Sequence, residues 1–333
     1  MSEVAIVSTS INPAPIAYRD WAKAGDLIVA GDVNSPTELA HYLKDIGATY
    51  LTPAEQTKMY PFSEIIGWRN IQRRNAAIMY AYERNYRYIV TVDDDNVAQQ
   101  SATQFVMGHI GAMQHPVRNT VSSPTGYLNT GIFCEPHFHQ RGTPRGVLVN
   151  NVHGVPVDPA HAPRIVVSQA QVMGDPDTDA IDRIVYHPDV KVCLADVVVT
   201  PGVYAAFNSQ ATVWDGAWAP VMAVLPHIGR YDDIFASFIF HRLARDFFVA
   251  LHVGTPCVKQ ERNEHDLVKD LAAEVWGLNT TITFVDEINR AHISADMPLP
   301  MAYSELMVAA AAVLPQPTIA FAEEWVRYWK GLL

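Results

Sequence analysis

Residues 88–96 read YIVTVDDDN, an apolar and mainly β-branched run that leads directly into three consecutive aspartates. Such a run predicts a buried strand that ends in a polar loop. Residues 4–7 (VAIV) and 27–30 (LIVA) repeat the pattern, and the second ends in Gly31 and Asp32. Helical stretches separate these strands, so we predict an α/β fold with a doubly wound, mainly parallel sheet. Ligands bind at the carboxyl ends of the strands in such sheets, where Asp32 and Asp93–Asp95 are expected.

Helix signals lie between the predicted strands. Residues 35–38 (SPTE) match a capping box with proline at the first helical position, and Gly47 is placed to end that helix. A short strand near Thr49–Leu51 comes next, and a long helix is predicted over Ser63–Glu83. The alternation of strand and helix supports the α/β prediction.

Three adjacent carboxylates repel one another, and a divalent cation at the end of the strand relieves that repulsion. Side chains alternate along a strand, which predicts that Asp93 and Asp95 lie on one side and share a hard metal ion, Mn²⁺ or Mg²⁺. The metal in turn holds a nucleotide diphosphate and stabilises a leaving group. The alternative is an ordinary polar loop in which one aspartate caps the next helix.

The chain resembles the GT-A glycosyltransferases from Val4 to about Gly277. More narrowly, it is similar to the reversibly glycosylated polypeptides (UDP-arabinopyranose mutases) and to the related STELLO-type glycosyltransferase-like proteins. The segments that carry the resemblance are LIVAGD at 27–32, RNIQRRN at 69–75, IVTVDDD at 89–95, GRYDDIFA at 229–236 and QERNEHDLVKD at 260–270.

The resemblance implies a GT-A, Rossmann-like mixed sheet, mainly parallel and flanked by helices. It implies a glycosyltransferase-like domain over residues 1–277, with residues 278–333 as a helical C-terminal extension packed on it. It also implies a nucleotide-sugar donor, most simply a UDP-sugar, and roles for individual residues. The donor-binding set is Ser8, Asp32, Arg69, Asn70, Arg74, Asp94 and Arg262.

The metal and acceptor sites follow from the same resemblance. Asp93 and Asp95 are the metal ligands, and a further ligand from the C-terminal third is His252 or His265. A lone histidine is more often a structural hydrogen-bonding group, which remains the alternative for each. Asp233, ahead of Asp232, is expected to contact or deprotonate the acceptor. The alternative is that both acids only stabilise the amino end of a helix over residues 234–247.

Arg141 is the third candidate catalytic residue. Residues 141–144 (RGTP) resemble the segment of the mutases that carries their reversibly glycosylated arginine. Arg141 is therefore a glycosyl carrier, a cation that binds the donor phosphates or the acceptor, or an arginine in a surface turn. A guanidinium is almost always protonated, so the carrier role needs strong local activation.

Composition narrows the class of protein. With 24 basic and 35 acidic residues, the formal charge of −11 argues against sequence-independent binding of a nucleic acid backbone. Cys134, Cys193 and Cys257 are far apart without CxxC spacing, which argues against a disulfide framework or a structural zinc site and favours a reducing compartment. We expect a cytoplasmic protein with no signal peptide and no membrane partner.

Three functions compete on this sequence. The first is a metal-dependent glycosyltransferase that uses a UDP-sugar and a small molecule, a protein or a modified base as acceptor. The second is a nucleotide-sugar mutase with Arg141 as carrier. The third is an inactive nucleotide-sugar-binding partner, against which the retained DDD and YDD segments argue. The helical C-terminal residues are free to pack or to form a homodimer.

Overall fold

A computed structural model of the chain describes residues 2–115, 119–260 and 266–333. Within them the chain forms an eleven-stranded mixed sheet and a separate two-stranded ribbon. The strands are β1 (Val4–Ser10), β2 (Asp26–Gly31), β3 (Thr49–Leu51), β4 (Tyr88–Val92), β5 (Asn96–Ala98), β6 (Thr120–Ser122), β7 (Cys134–Glu135), β8 (His153–Val155), β9 (Arg164–Met173), β10 (Val192–Cys193), β11 (Val197–Val199), β12 (Ala211–Asp215) and β13 (Val249–Gln260).

The large sheet has the order β3-β2-β1-β4-β12-β9-β13-β11-β6-β8, and β5 pairs with the end of β13. The first four strands are parallel, whereas β12 lies antiparallel between β4 and β9. Seven of the eleven strands, β1 to β4 with β8, β9 and β13, run in one direction. The predicted fold class is therefore confirmed, with the Rossmann-like parallel part in the N-terminal strands.

Helices cover both faces of the sheet. They are α1 (Tyr18–Ala24), α2 (Thr37–Asp45), α3 (Pro53–Met59), α4 (Phe62–Ile66), α5 (Arg74–Glu83), α6 (Ala102–Gln114), α7 (Ala180–Val185), α8 (Asp232–Phe247), α9 (Leu267–Asn289), α10 (Leu299–Ala309) and α11 (Gln316–Lys330).

Alternating side chains of β1 show why two helical layers are needed. Val4 and Ile6 join a core cluster with α1, α2 and α6, whereas Ala5 and Val7 join a second cluster with α5 and α8 to α11. All four residues are buried, so β1 has no face in water. A strand that is apolar at every position requires this arrangement, which places polar groups only at its ends.

The long helix predicted over Ser63–Glu83 is wrong, because α4 and α5 are separate helices. Gly67 and Arg69 between them adopt left-handed backbone angles, with φ of 72° and 65°. The carboxylate of Asp32 accepts hydrogen bonds from the backbone N–H of Arg69, at 2.9 and 2.7 Å, and from that of Asn70 at 3.2 Å. A continuous helix would place these N–H groups inside itself, so the buried acid of β2 holds the loop open.

The predicted capping box of α2 does not form. The Ser35 hydroxyl donates to the carbonyl of Ser10 at 2.6 Å, and the extended Pro36 precedes the helix without a side-chain cap. A capping box forms instead at α3, where Thr52 accepts from the backbone N–H of Glu55 at 3.2 Å and Glu55 accepts from that of Thr52 at 2.8 Å. Ser35 is therefore used to join the ends of β1 and β2 rather than to start a helix.

The C-terminal helices pack on the N-terminal half of the chain. Phe321 and Trp325 of α11 contact the ring of Phe62, with ring centroids 6.2 and 4.9 Å apart. Helix α9 runs through residue 277 without a break, and the division into residues 1–277 and 278–333 stays a prediction. In the described part of the chain, no helix is both long and apolar enough to cross a membrane.

Candidate functional site

One polar cleft of about 520 Å³ lies where the carboxyl ends of β1, β2, β4 and β13 meet the amino end of α8. Among the described residues, six carboxylates and four guanidinium groups line it, so acids outnumber arginines by two there. This is the edge at which a parallel sheet binds its ligands. The charged residues that line it are Asp32, Asp93, Asp94, Asp95, Asp232, Asp233, Arg69, Arg74, Arg141 and Arg230.

The three aspartates after β4 point to three different partners. Asp93 is buried and forms an ion pair with Arg74. Asp94 accepts hydrogen bonds from the hydroxyl of Ser10 at 2.5 Å and from the side-chain amide of Asn12 at 2.8 Å, and burial raises its pKa. The strand ends at Val92 and a turn follows, so the strict alternation assumed from the sequence does not continue through these residues.

Asp95, the third member of the triplet, also lines the cleft. It is half-buried in the cleft, and both of its oxygens accept hydrogen bonds from the neutral side chain of Gln260, at 3.0 and 3.2 Å. Across residues 2–115, 119–260 and 266–333, no three His, Cys, Asp or Glu side chains form a group that could hold a metal. The carboxylate oxygens fit a hard divalent cation that takes its remaining ligands from a bound molecule and water.

Asp32 and Asn70, two predicted donor-binding residues, form the wall of the cleft. The carboxylate of Asp32 accepts hydrogen bonds from the backbone N–H groups of Arg69 and Asn70 in the loop before α5. The Asn70 amide donates to the carbonyls of Ile66 at 3.1 Å and Trp68 at 3.3 Å. Arg69 carries its side chain on the surface of the same loop, and its guanidinium has no hydrogen bond or ion pair to the described residues. The loop thus presents one unpaired cation to the cleft.

Ser8 does not line the cleft, which corrects its assignment to the donor site. It is fully buried, donates to the carbonyl of Val92 at 2.8 Å and accepts from the hydroxyl of Tyr18 at 2.8 Å. Ser10 lies two residues nearer the end of β1 and lines the cleft instead. The same strand face carries both serines, and only the terminal one reaches the edge.

Arg74 ties the triplet to β12. Its guanidinium is buried and donates to the carbonyl of Ser209 at 2.9 Å and to the hydroxyl of Ser209 at 2.7 Å, besides its pair with Asp93. Burial works to lower the pKa of Arg74, but the carboxylate of Asp93 outweighs it and the pKa is raised. Arg74 therefore remains charged and fixes Asp93 in place.

Arg141 is buried between two carboxylates. Its Nε donates to Asp177 at 2.8 Å, one Nη donates to Asp233 at 3.2 Å, and the other donates to the carbonyl of Arg230. Burial opposes its charge, but Asp177 and Asp233 outweigh that effect and raise its pKa well above the ordinary value. A guanidinium held in this way has no lone pair for attack on a sugar, which weighs against the carrier role.

Asp232 and Asp233 have different surroundings although they are adjacent. Asp233 is neutralised by Arg141 and also accepts from the backbone N–H and the hydroxyl of Ser209, at 3.0 and 3.2 Å. Asp232 accepts from the neutral amide of Gln72 at 2.5 Å, and burial together with the charge of Asp233 raises its pKa to about 7. A carboxyl group whose pKa lies near neutral pH suits proton transfer. These surroundings favour Asp232 as the proton acceptor, whereas the sequence favours Asp233.

His252 is not a metal ligand in this structure. It lies on β13 eight residues before Gln260, roughly 25 Å from the cleft at the rise of an extended strand. Its Nδ1 contacts the hydroxyl of Ser168 at 2.8 Å and its Nε2 contacts Asp196 at 3.1 Å, so both nitrogens are occupied. His265 and Arg262, the site residues predicted from the segment at 260–270, lie outside the described residues.

The contacts of His252 belong to a buried chain of hydrogen bonds. Ser168 also contacts His109 at 2.7 Å, and His109 contacts the carbonyl of Pro256 at 2.8 Å. The four links need four hydrogens, but neutral His109, Ser168 and His252 supply only three. Burial lowers the pKa of both histidines, to about 4 for His109, so both imidazoles stay neutral near neutral pH. One of the four contacts is then not a hydrogen bond.

The His252→Asn variant tests this structural role. Loss of one or both links in a buried chain is expected to lower the free energy of unfolding by about 1–3 kcal/mol. The binding of Mn²⁺ in the presence of UDP is expected to stay unchanged. Urea denaturation and calorimetry measure the two quantities, and a tenfold loss of Mn²⁺ affinity at unchanged stability would restore His252 as a ligand.

The sequence motifs do not mark several residues that contact the acids and the arginine of the site. Gln72 and Gln260 are neutral partners of Asp232 and Asp95, and both stand inside segments that carry the family resemblance. Asp177 has no motif around it, and its role arises only because the chain folds it against Arg141.

Comparison with known proteins adds structural likeness only. No protein-family model matches the chain, and no curated protein sequence matches it. One similar solved structure is glucosyl-3-phosphoglycerate synthase from Mycobacterium tuberculosis in complex with Mn²⁺ and UDP-glucose, at 12% identity and a TM-score of 0.42, over 84% of this chain and 78% of that chain. Another is mannosyl-3-phosphoglycerate synthase from Rubrobacter xylanophilus, at 11% and 0.41, over 87% and 76%. A third is S. aureus TarS 1–349, at 9% and 0.36, over 99% and 89%.

Proposed function

We propose that this protein is a metal-dependent glycosyltransferase that transfers a sugar from a nucleotide sugar, most simply a UDP-sugar, to an acceptor. The observation that carries the proposal is the meeting of Asp93–Asp95 after β4 with Asp232 at the start of α8 in one cleft. Each set suits a different part of the reaction. The acids after β4 suit a cation and a diphosphate, and Asp232 suits a proton.

Asp95 and the nearby Asp93 would hold Mn²⁺ or Mg²⁺ together with the donor phosphates. When bound, the cation neutralises the charge that develops on the leaving diphosphate. Arg74 keeps Asp93 oriented, and the exposed guanidinium of Arg69 is placed to pair with a phosphate. The excess of two carboxylates over arginines in the cleft supports the need for a cation.

Asp232 would take the proton from the acceptor hydroxyl. Its two oxygens are held by the backbone N–H of Asp233 at 2.9 Å and by Gln72 at 2.5 Å, so its orientation is set before any ligand binds. Arg141 lies behind it and forms ion pairs with both Asp233 and Asp177. This arrangement assigns the base to Asp232 and a positioning role to Asp233.

An Asp95→Ala variant tests the proposed metal and donor site. Loss of one carboxylate ligand is expected to weaken Mn²⁺-dependent UDP binding by at least about tenfold, equivalent to roughly 1.4 kcal/mol. Isothermal titration calorimetry with and without Mn²⁺ measures the effect. Asp45→Ala, which removes an exposed aspartate of α2 outside the cleft, is the matched control.

Equal Mn²⁺-dependent UDP binding by the Asp95→Ala and Asp45→Ala variants would contradict the metal site.

Incubation of the protein with UDP-arabinose and Mn²⁺, without an added acceptor, distinguishes a transferase from a mutase. The proposal expects UDP release without exchange between pyranose and furanose forms. Ring exchange without UDP release would instead support the mutase.

A further inference from the structure

The three cysteines of the chain, far apart in sequence, lie together in the fold. Cys134 of β7, Cys193 of β10 and Cys257 of β13 share a small apolar cluster with Phe138 and Met173. All three are free thiols, and Cys193 is the least buried of them. The fold therefore brings together cysteines that are distant in the sequence.

Cys134 and Cys193 are direct partners in the β7–β10 ribbon. The backbone N–H of Leu194 donates to the carbonyl of Phe133 at 2.8 Å, so the flanking residues, and not the cysteines, make the ladder hydrogen bond. In an antiparallel pair this is the narrow position, with Cα atoms about 4.5 Å apart. That separation lies within the range that a disulfide spans, from roughly 4.4 to 6.8 Å.

The three thiols are not equivalent. The neighbouring thiols of Cys134 and Cys257 hold the pKa of Cys193 below its ordinary value. The same contacts and burial raise the pKa of Cys134 and of Cys257. Cys193 therefore combines thiolate character with partial exposure, the two properties that make a cysteine react with oxidants.

We propose that Cys193 and Cys134 form a peroxide-reactive pair that closes a disulfide across the β7–β10 ribbon. The Cys193 thiolate attacks one oxygen of hydrogen peroxide, which gives a sulfenic acid and releases hydroxide. The Cys134 thiol then attacks the sulfenic sulfur, which forms the S–S bond as its proton and the sulfenic hydroxyl leave as water. The two thiols supply two electrons, and one peroxide is reduced to two waters.

A soft-metal site is the alternative use of three clustered thiols. Metal binding by thiolates requires all three sulfurs to turn toward one point and lose their protons. The part of the chain that the structure describes contains no group of three His, Cys, Asp or Glu side chains that could hold a metal ion. The geometry points to thiol chemistry within the ribbon rather than to a shared metal.

Mass spectrometry of the reduced full chain after hydrogen peroxide tests the proposal. We expect the loss of two hydrogen atoms, a Cys134–Cys193 linked peptide, and full reversal by dithiothreitol. The disulfide closes a loop of about 60 residues, so the melting temperature of the oxidised chain is expected to rise by about 5 °C.

Two variants make the assignment specific. Cys257→Ala keeps the pair and is expected to form the same Cys134–Cys193 disulfide, because Cys257 is not a partner of either cysteine in the ribbon. Cys193→Ser is expected to form no disulfide. Over-oxidation of Cys193 to sulfinic acid in place of a disulfide, a disulfide to Cys257, or stoichiometric Zn²⁺ binding that blocks all three thiols would overturn the proposal. The wild-type peptide map decides these outcomes even where a variant fails to fold.

Discussion

Replacement of Arg141 by methionine is expected to lower the free energy of unfolding by about 3–5 kcal/mol. The side chain is buried between Asp177 and Asp233, and methionine removes the positive charge that pairs with both buried carboxylates. Arg164→Met is the matched control, because Arg164 is largely exposed and pairs with Asp215 at the surface. That change is expected to cost less than about 1 kcal/mol.

Urea denaturation of the Arg141→Met and Arg164→Met variants gives the comparison. Combining Arg141→Met with Asp177→Asn is expected to recover part of the lost stability, since one buried charge disappears with its partner. Equal costs for the two arginines would show that Arg141 does not hold the two acids. The same result would reopen the carrier role, which requires a guanidinium free of carboxylate partners.

The parallel part of the sheet could be predicted because its signals are local. Strands β1, β2 and β4 are apolar runs that lead into polar residues, and β1, β2 and β3, which follow one another along the chain, lie side by side in the sheet. Strand β12 shows what such signals omit. Val213 pairs with Val90 from 123 residues away, and no neighbouring residue marks that partner.

The candidate site also has one part that could be predicted from the sequence and one part that could not. Asp93–Asp95 and Asp232 could be placed at one edge because they follow a strand or begin a helix. Which of these acids is charged, and which is paired, could not be predicted, because both depend on partners from other elements, such as Gln72 and Gln260. The position of His252 outside the cleft could not be predicted for a related reason. Its position in the chain is near Gln260, but an extended strand separates the two in space.

Asp232→Asn is expected to lower the rate of UDP release from a UDP-sugar by about 10²–10⁴-fold. The amide keeps the size of the side chain but cannot accept a proton from the attacking hydroxyl, and water serves as that acceptor in the assay. Asp233→Asn weakens the pair with Arg141 instead, and it is expected to lower stability together with rate. Rates for the two variants, normalised to folded protein, separate a base from a positioning residue.

The pH dependence gives a second, independent test of Asp232. Its pKa of about 7 in the folded chain lies above the ordinary value, so the folded state binds more protons than the unfolded state between about pH 4 and pH 7. The contribution of Asp232 to stability therefore falls as pH rises through that window, while the active, ionised base becomes more abundant. Wild-type kcat/KM is expected to rise with an apparent pKa near 7, and the Asp232→Asn variant is expected to lose that rise and the matching fall in stability. A rate profile that the substitution leaves unchanged would exclude Asp232 as the base.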